Sequence, residues 1–165
     1  MSQLSNITLQ KIHKHDKEIL RNLFNLWHHD LSVMDCSLFP DVDSKGFYDY
    51  AAVEEYFENE IQDKLFAYFV RYNGALAGFC IISKPPYVKV GCDYCIQEFF
   101  ITGNYREKGI GSETCKIVFS KHPGRYCLHT IDRNIKAKSF WLKLINLIGT
   151  DILIENDGKD FIFSV

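Results

Sequence analysis

A chain of 165 residues with 47% hydrophobic and 24% charged residues has the size and composition of a single globular domain, which we assign to residues 1–165. Its net charge of −2 and its lack of a lysine- or arginine-rich block exclude the electrostatic footprint of nucleic-acid binding. No apolar stretch approaches the roughly 18 residues of a membrane span, and the polar N-terminus does not resemble a signal peptide. We therefore expect a cytoplasmic protein without a membrane partner.

The cysteines give little evidence for a metal site. Six are present, and Cys92-Asp-Tyr-Cys95 is the only close pair. A lone CxxC without a second pair or paired histidines is weak evidence for zinc. We predict no metal, and we expect the cysteines within apolar runs to act as small hydrophobic residues.

Hydrophobic spacing predicts the elements of the first half of the chain. It indicates a strand over 7–12, a helix over 19–31 that Asp16 could cap, and a second helix over 53–61. Between the helices, residues 32–50 lose this period and contain four aspartates. Long loops in compact domains are often functional, so we expect this loop to line a site.

The second half is predicted to alternate strands and helices. Two strands over 65–71 and 76–83 are expected to be joined by an Asn73-Gly74 turn and to be followed by a strand over 95–102. A helix from 110 to Pro123-Gly124, a strand over 125–131 and a helix over 137–148 come next. The last two strands are expected over 152–155 and 161–165. Hairpins and single-helix crossovers together predict an α/β fold with one mixed central sheet and helices on both faces. The predicted order is β-α-α-β-β-β-α-β-α-β-β.

The segment from Glu98 to Ser112 carries the strongest functional signal: Glu-Phe-Phe-Ile-Thr-Gly-Asn-Tyr-Arg-Glu-Lys-Gly-Ile-Gly-Ser. A strand runs into a loop with two glycines, and the loop opens a helix whose first N–H groups attract anions. Gly109 and Gly111 would let the backbone approach a pyrophosphate, and Arg106 and Lys108 would add positive charge. The alternative is an ordinary turn with a solvated basic rim. A dinucleotide-binding site is excluded because the glycines come late and form no GxGxxG pattern.

Two segments resemble a known family. Arg106-x-x-Gly109-x-Gly111 is similar to the acetyl-CoA signature of the GNAT superfamily of N-acetyltransferases, and Asn134-Ile-Lys-Ala137-Lys-Ser-Phe140-Trp141 resembles a second segment of that family. The element order is also similar, so the resemblance covers nearly the whole chain. It implies the GNAT fold, acetyl-CoA as acyl-donor cosubstrate, and acetyl transfer to a primary amine by direct attack in a ternary complex.

The resemblance also implies which residues bind the coenzyme. The pantetheine arm would lie along Phe99, Phe100 and Ile101, between two parallel strands that splay apart. The pyrophosphate would be held by Arg106, Glu107, Lys108, Gly109, Ile110, Gly111 and Ser112. Asn134 would bind the pantetheine, with Ala137 in the same segment and Phe140 packing near the coenzyme. Ordinary core packing is the alternative role for the three phenylalanines.

Glu98 is the candidate catalytic residue. An alkyl amine is mostly protonated at neutral pH, so a base must take its proton before it attacks the thioester. Glu98 lies in an apolar stretch, where burial raises a carboxyl pKa toward a useful value. A charge at a strand edge or a buried ion pair is the alternative role for Glu98. Family members often carry a tyrosine at position 141 that protonates the leaving thiolate, but this chain has Trp141, so the thiolate is expected to leave with help from water, from another group, or unassisted.

The acceptor is expected to bind at the first two helices and the loop between them. Asp30, Asp43 and Tyr48 are the candidate substrate residues, because an acidic loop with aromatic rings suits a cationic amine such as a polyamine or an aminoglycoside-like sugar. A solvated polar loop is the alternative. A non-catalytic acyl-CoA-binding domain and a protein N-acetyltransferase remain rival functions. The sequence leaves open the acceptor, the acyl chain length and the oligomeric state, a homodimer included.

Overall fold

The computed structural model describes residues 6–37, 41–48, 52–58 and 63–165. Its strands are β1 (Ile7–Lys11), β2 (Leu65–Tyr72), β3 (Ala75–Ser83), β4 (Tyr94–Ile101), β5 (Arg125–His129), β6 (Thr150–Glu155) and β7 (Asp160–Ser164). Its helices are α1 (Lys17–Met34), α2 (Ala52–Glu55), α3 (Ile110–Lys121) and α4 (Ile135–Ile148). This order agrees with the predicted one.

The described strands form one mixed sheet in the order β1-β2-β3-β4-β5-β7-β6. The β2–β3 hairpin turns at Asn73 and Gly74, which have φ angles of 51° and 79°. A two-residue hairpin turn of type I′ needs positive φ at both positions, which asparagine and glycine tolerate best. The pair β4–β5 is parallel, and the other paired strands are antiparallel.

Helices cover both faces of the sheet, as the sequence predicts. On one face, α1 and α2 pack an aromatic cluster that includes Phe24, Phe69 and Phe79. On the other face, α3 and α4 pack against strand residues that include Tyr126 and Leu128. Each fully buried leucine or phenylalanine contributes about 1.5–3 kcal/mol of transfer free energy, so the two clusters hold the sheet between the helical layers.

The first helix differs from its predicted ends. It begins at Lys17 and continues to Met34, so the loop that was predicted from Ser32 starts later. Asp16 is the N-cap residue, but its carboxylate accepts a hydrogen bond from the N–H of His13 at 2.9 Å instead of one from the helix. Asp16 therefore stabilises the preceding turn and does not cap α1 with its side chain.

The second helix and one strand are shorter than predicted. Helix α2 ends at Glu55, Tyr56 and Phe57 follow in a turn, and Ile61 lies outside the described residues. Strand β5 ends at His129 and not at Ile131, because its pairing with β7 stops there. Within the described part of the chain, no helix has the length and apolar character needed to cross a membrane.

Candidate active site

A gap opens between β4 and β5. The two strands pair at three positions, Tyr94–Tyr126, Cys95–Cys127 and Ile96–Leu128, although β4 continues to Ile101. On the other side of β4, Ile82 pairs with Ile96 and Ile81 with Glu98, so Gln97 is an unpaired bulge residue. Bulges bend a strand and increase its twist. The backbone of residues 97–101 therefore has β3 on one side and an open edge on the other.

The predicted coenzyme residues of β4 point their side chains into the protein. Phe99 stacks on Phe140 with ring centres 5.9 Å apart, while Phe100 and Ile101 are buried. The Phe100 ring packs 5.8 Å from the Phe79 ring on the α1 face. The open edge is consequently made of backbone, and the side chains hold that backbone in place.

The loop after β4 delivers the start of α3 to this gap. Gly109 is the N-cap residue of α3, and its φ of 76° lies in the left-handed region that glycine adopts without steric cost. Ile110 follows it into the core, where it is 1% exposed, and this anchors the first helical turn. The N–H groups of Ile110, Gly111 and Ser112 have no partner within the helix by geometry, so they form a site for an anion.

Gly111 has a different role from Gly109. A Cβ atom on Gly111 would lie 3.4 Å from the Phe140 ring and 3.6 Å from the Phe99 ring. Both distances are ordinary van der Waals contacts, so the first turn of α3 packs directly against these rings and has room for a Cβ there. The neighbouring loop residues are exposed: Glu107 has a positive φ of 59°, and the Lys108 ammonium donates to the carbonyl of Asn104 at 2.8 Å.

Arg106 and Asp30, which were predicted to bind different ligands, form an ion pair with each other. The Arg106 Nε also donates to the carbonyl oxygen of Ile101 at 2.6 Å, and its guanidinium lies 5.2 Å from the centre of the Phe100 ring. The Arg106 side chain thus ties the end of β4 to α1 on the face opposite α3.

The far side of the gap is bordered by the start of α4. Asn134 caps this helix, with its Oδ1 accepting from the N–H of Ala137 at 3.0 Å. Trp141 is 5% exposed and packs at 5.5 Å from Phe99 and 4.9 Å from Phe140, between ring centres. The indole is therefore part of the core.

Glu98 lies on the same sheet face as α1 and α2. Glu98 is buried, and its Oε1 accepts a hydrogen bond from the Tyr56 hydroxyl at 3.2 Å. Tyr56 follows α2, 42 residues earlier in the chain. A long-range contact of this kind leaves no local signal in the sequence, and Tyr56 was not predicted as a site residue.

The described part of the loop after α1 folds back onto that helix. The Asp43 carboxylate accepts hydrogen bonds from the N–H groups of Lys45 and Phe47, at 2.8 and 2.9 Å. These two bonds lower the pKa of the Asp43 carboxyl, and the bond from Phe47 has the larger effect. The Tyr48 hydroxyl bonds the hydroxyl of Ser32 at 2.9 Å. Two of the three predicted substrate residues, Asp43 and Tyr48, thus help to shape this loop.

A second ion pair links α1 to the far side of the gap. Asp35, just past the end of α1, lies 3.6 Å from Arg133 in the loop before α4. Together with the Arg106–Asp30 pair, it places the C-terminal half of α1 across the two loops that follow β4 and β5. This helix therefore borders the approach to Glu98.

Comparison with known families identifies this architecture. The family model described as Acetyltransferase (GNAT) family matches residues 22–145, which is well over half of the chain. The chain belongs to the GNAT acetyltransferase family. It is therefore an acyltransferase, and the family uses acetyl-CoA as its acyl donor. No curated protein matches the chain by sequence.

Solved GNAT structures share the fold at low sequence identity. An acetyltransferase from Thermus thermophilus matches with a TM-score of 0.69 and 13% identity, over 97% of this chain and 96% of that one. A GNAT-family acetyltransferase from Streptococcus agalactiae matches with a TM-score of 0.65 and 12% identity, over 97% and 95%. AAC(6')-Iy, in complex with the bisubstrate analogue CoA-S-monomethyl-acetylneamine, matches with a TM-score of 0.57 and 18% identity, over 85% and 90%. These identities establish the fold and leave the substrate open.

Proposed function

We propose that this GNAT protein transfers an acetyl group from acetyl-CoA to a primary amine by direct attack, with Glu98 as the base. The observation that carries the proposal is the early end of the β4–β5 pairing, which leaves the backbone of residues 97–101 open beside a buried carboxylate. A pantetheine arm has amide groups that pair with such an open edge as an added strand would. Phe99, Phe100 and Ile101 then contribute their backbone to coenzyme binding.

The start of α3 fits the pyrophosphate. Its first N–H groups point away from the helix body, and the helix dipole favours negative charge there. Gly109 gives the loop its left-handed turn without a side chain on that backbone. Because Arg106 is engaged with Asp30 and with Ile101, we assign the phosphate contacts mainly to the backbone from Gly109 to Ser112. Exposed Lys108 adds positive charge at the rim.

Glu98 would take the proton of the attacking amine. Its carboxylate lies on the α1 face, across β4 from the Phe99–Phe140 stack, so the amine would approach from the α1 side. The Tyr56 hydroxyl donates to Oε1 and so fixes the orientation of the carboxylate to which we assign the proton transfer. General bases of this type accelerate proton transfer by about 10²–10⁴-fold.

The leaving thiolate would depart without a tyrosine acid. Trp141 stands at the position where many relatives carry that tyrosine, and its indole is enclosed by Phe99 and Phe140. A thiol with a pKa near 8.5 is a tolerable leaving group as its thiolate. Protonation by water after departure completes the reaction.

A small cationic amine is the acceptor class that we favour. The approach to Glu98 runs beside the C-terminal half of α1, where Asp30 and Asp35 form ion pairs with Arg106 and Arg133. AAC(6')-Iy, which shares the fold, is described with an analogue that joins CoA to an acetylated neamine. A cationic amine would compete with Arg106 and Arg133 for the two aspartates. Its binding would therefore change the contacts between α1 and the two loops that carry these arginines.

The test is a mass-spectrometric screen for acetylated products with acetyl-CoA and spermidine, neamine or a peptide with a free N-terminus. We expect one of the small amines to be acetylated. In Glu98→Gln, kcat should fall by about 10²–10⁴-fold while the Kd for acetyl-CoA stays within about twofold. Glu55→Gln, which removes an exposed carboxylate beside Tyr56, is the matched control and should retain wild-type kinetics.

Two results would contradict the proposal. Unchanged turnover in Glu98→Gln would remove Glu98 from the reaction. Acetylation of the peptide alone would replace the small amine with a protein acceptor.

A further inference from the structure

Three cysteines from two separate parts of the sequence, Cys92 and Cys95 in one and Cys127 in the other, meet on the sheet face that carries Glu98. Cys95 on β4 and Cys127 on β5 are direct partners in the parallel pair, and Cys92 packs with Cys127 in a small apolar cluster around Ile162. Adjacent strands lie about 4.7–4.9 Å apart, which is within the Cα separation of about 4.4–6.8 Å that a disulfide spans. The Cα separation expected for Cys95 and Cys127 is therefore compatible with a disulfide.

The cluster opens to solvent through a cavity of about 330 Å³. Both Cys95 and Cys127 line it, together with Lys89, His129 and Asp160. Cys95 is half-buried, and Cys127 is buried apart from the part that faces the cavity. A small oxidant has room to reach the pair, whereas Cys80 and Cys115 are enclosed in the core.

The groups around Cys127 favour a negative charge on its sulfur. The Cys95 thiol donates a hydrogen bond that lowers the pKa of Cys127, and the N–H of Lys89, 3.4 Å from Sγ, acts in the same direction against the effect of burial. The same hydrogen bond raises the pKa of Cys95, and burial raises the pKa of Cys92. The charged and titratable groups that face the cluster are Lys89 with its partner Glu155, Arg125, Glu98, and the His129–Asp160 pair.

We propose that Cys127 is an oxidation site for hydroperoxides and that Cys95 resolves it into a reversible Cys95–Cys127 disulfide. The inference rests on the register of the two strands, on the shared cavity and on the contact with the Lys89 N–H. It does not depend on acetyl transfer. No group of three His, Cys, Asp or Glu side chains among the described residues has the arrangement of a metal site, so the cluster is assigned to thiol chemistry.

The reaction balances in two steps. The Cys127 thiolate attacks a peroxide oxygen, an S–O bond forms as the O–O bond breaks, and the departing oxygen takes a proton to become water or an alcohol. The Cys95 sulfur then attacks the resulting sulfenic acid, an S–S bond forms as the S–O bond breaks, and hydroxide leaves as water with the proton from Cys95. Two thiols lose two electrons in total, and the peroxide gains them.

The bond would join β4 to β5 one position before their last pair. Cys95 and Cys127 are the second of the three paired positions, and the strands separate after Ile96 and Leu128. Oxidation would therefore fasten β4 to β5 at the closed end of the gap.

The experiment treats the full chain with one equivalent of hydrogen peroxide at pH 6 and maps the cysteines by mass spectrometry. At this pH an ordinary thiol is almost entirely protonated, so a thiol whose pKa is lowered carries a larger fraction of thiolate, although its lower nucleophilicity offsets part of this advantage in rate. We expect a Cys95–Cys127 disulfide that dithiothreitol reverses, formed before exposed Cys36 is oxidised. The oxidation rate of Cys127 should rise with pH, with a midpoint below the ordinary thiol pKa of about 8.5.

The variants separate the roles of the three cysteines. Cys92→Ala should still form the disulfide. Cys92→Ala/Cys95→Ala should stop at a sulfenic acid on Cys127 that dimedone traps, and the midpoint of its oxidation rate should move to higher pH because the hydrogen bond from Cys95 is lost. Circular dichroism of each variant confirms that it folds, and mapping of the wild-type chain tests the disulfide without any substitution.

Three outcomes would overturn the proposal. The first is oxidation of Cys36 while Cys127 stays reduced. The second is a disulfide between Cys92 and Cys127 in the wild-type chain. The third is an unchanged pH midpoint when Cys95 is removed.

Discussion

Acid should destabilise the protein through His28. This residue is 2% exposed on α1 and is surrounded by the rings of Phe24, Trp27 and Tyr48. Burial lowers the pKa of His28 from 6.5 to about 4, because the charged imidazolium loses its hydration there. The unfolded chain therefore binds a proton on His28 between pH 6.5 and 4 that the folded chain does not bind, and stability falls as pH decreases through that window.

The magnitude follows from proton linkage. Between pH 7 and pH 5, pKa values of 6.5 unfolded and about 4 folded give a loss of about 2 kcal/mol. Urea denaturation at the two pH values measures the loss. In His28→Phe, which keeps a ring and removes the charge, the loss should be smaller by this amount. The exposed neighbour provides the control, so His29→Phe should follow wild type. An equal pH dependence in wild type and His28→Phe would refute the reasoning.

Two pairs of glycine variants test the packing around the gap by urea denaturation. A Cβ on Gly78 would lie 2.0 Å from the carbonyl oxygen of Phe100, so Gly78→Ala should cost about 3 kcal/mol or more, whereas Gly103→Ala, with nothing within 4 Å, should cost almost nothing. A Gly78→Ala variant as stable as wild type would contradict the β3–β4 register. Gly109→Ala should cost about 1 kcal/mol because of its left-handed φ, whereas Gly111→Ala in α3 should be neutral or slightly stabilising. Equal effects of these two would contradict the assigned start of α3.

The sequence predicts the elements of the fold well where the signal is local. Asn73, Gly74 and Gly109 adopt positive φ angles, and asparagine and glycine are the residue types that tolerate such angles best. The turn and the start of α3 are therefore visible in the sequence. The ends of elements are set by partners, and these were less accurate. Strand β5 ends where β7 ceases to pair with it, and no residue near Ile131 marks that end.

The site depends on pairings between distant residues, which periodicity does not reveal. The contact between Tyr56 and Glu98 spans 42 residues, and the pair of Arg106 and Asp30 spans 76. Considered alone, Arg106 is a plausible phosphate ligand and Asp30 a plausible amine ligand. In the fold, they form an ion pair with each other. The roles assigned to the individual site residues stay predictions, which the kinetic experiments address.

The coenzyme site itself is also a prediction from backbone geometry. The widening gap, the left-handed Gly109 and the unpaired N–H groups of α3 together form a surface suited to a long ligand with amides at one end and phosphates at the other. A change at the phosphate end should therefore weaken binding without altering the chemistry at Glu98.

The most direct test of the account is a calorimetric titration of acetyl-CoA into the purified protein, with desulfo-CoA and with the pantetheine arm lacking its pyrophosphate as comparison ligands. The account predicts saturable one-to-one binding of acetyl-CoA and desulfo-CoA and a large loss of affinity for the ligand without pyrophosphate. Gly109→Val should show the same loss for the complete coenzyme. If acetyl-CoA does not bind, or binds equally well without its pyrophosphate, the assignment of the gap and the start of α3 as the coenzyme site is wrong.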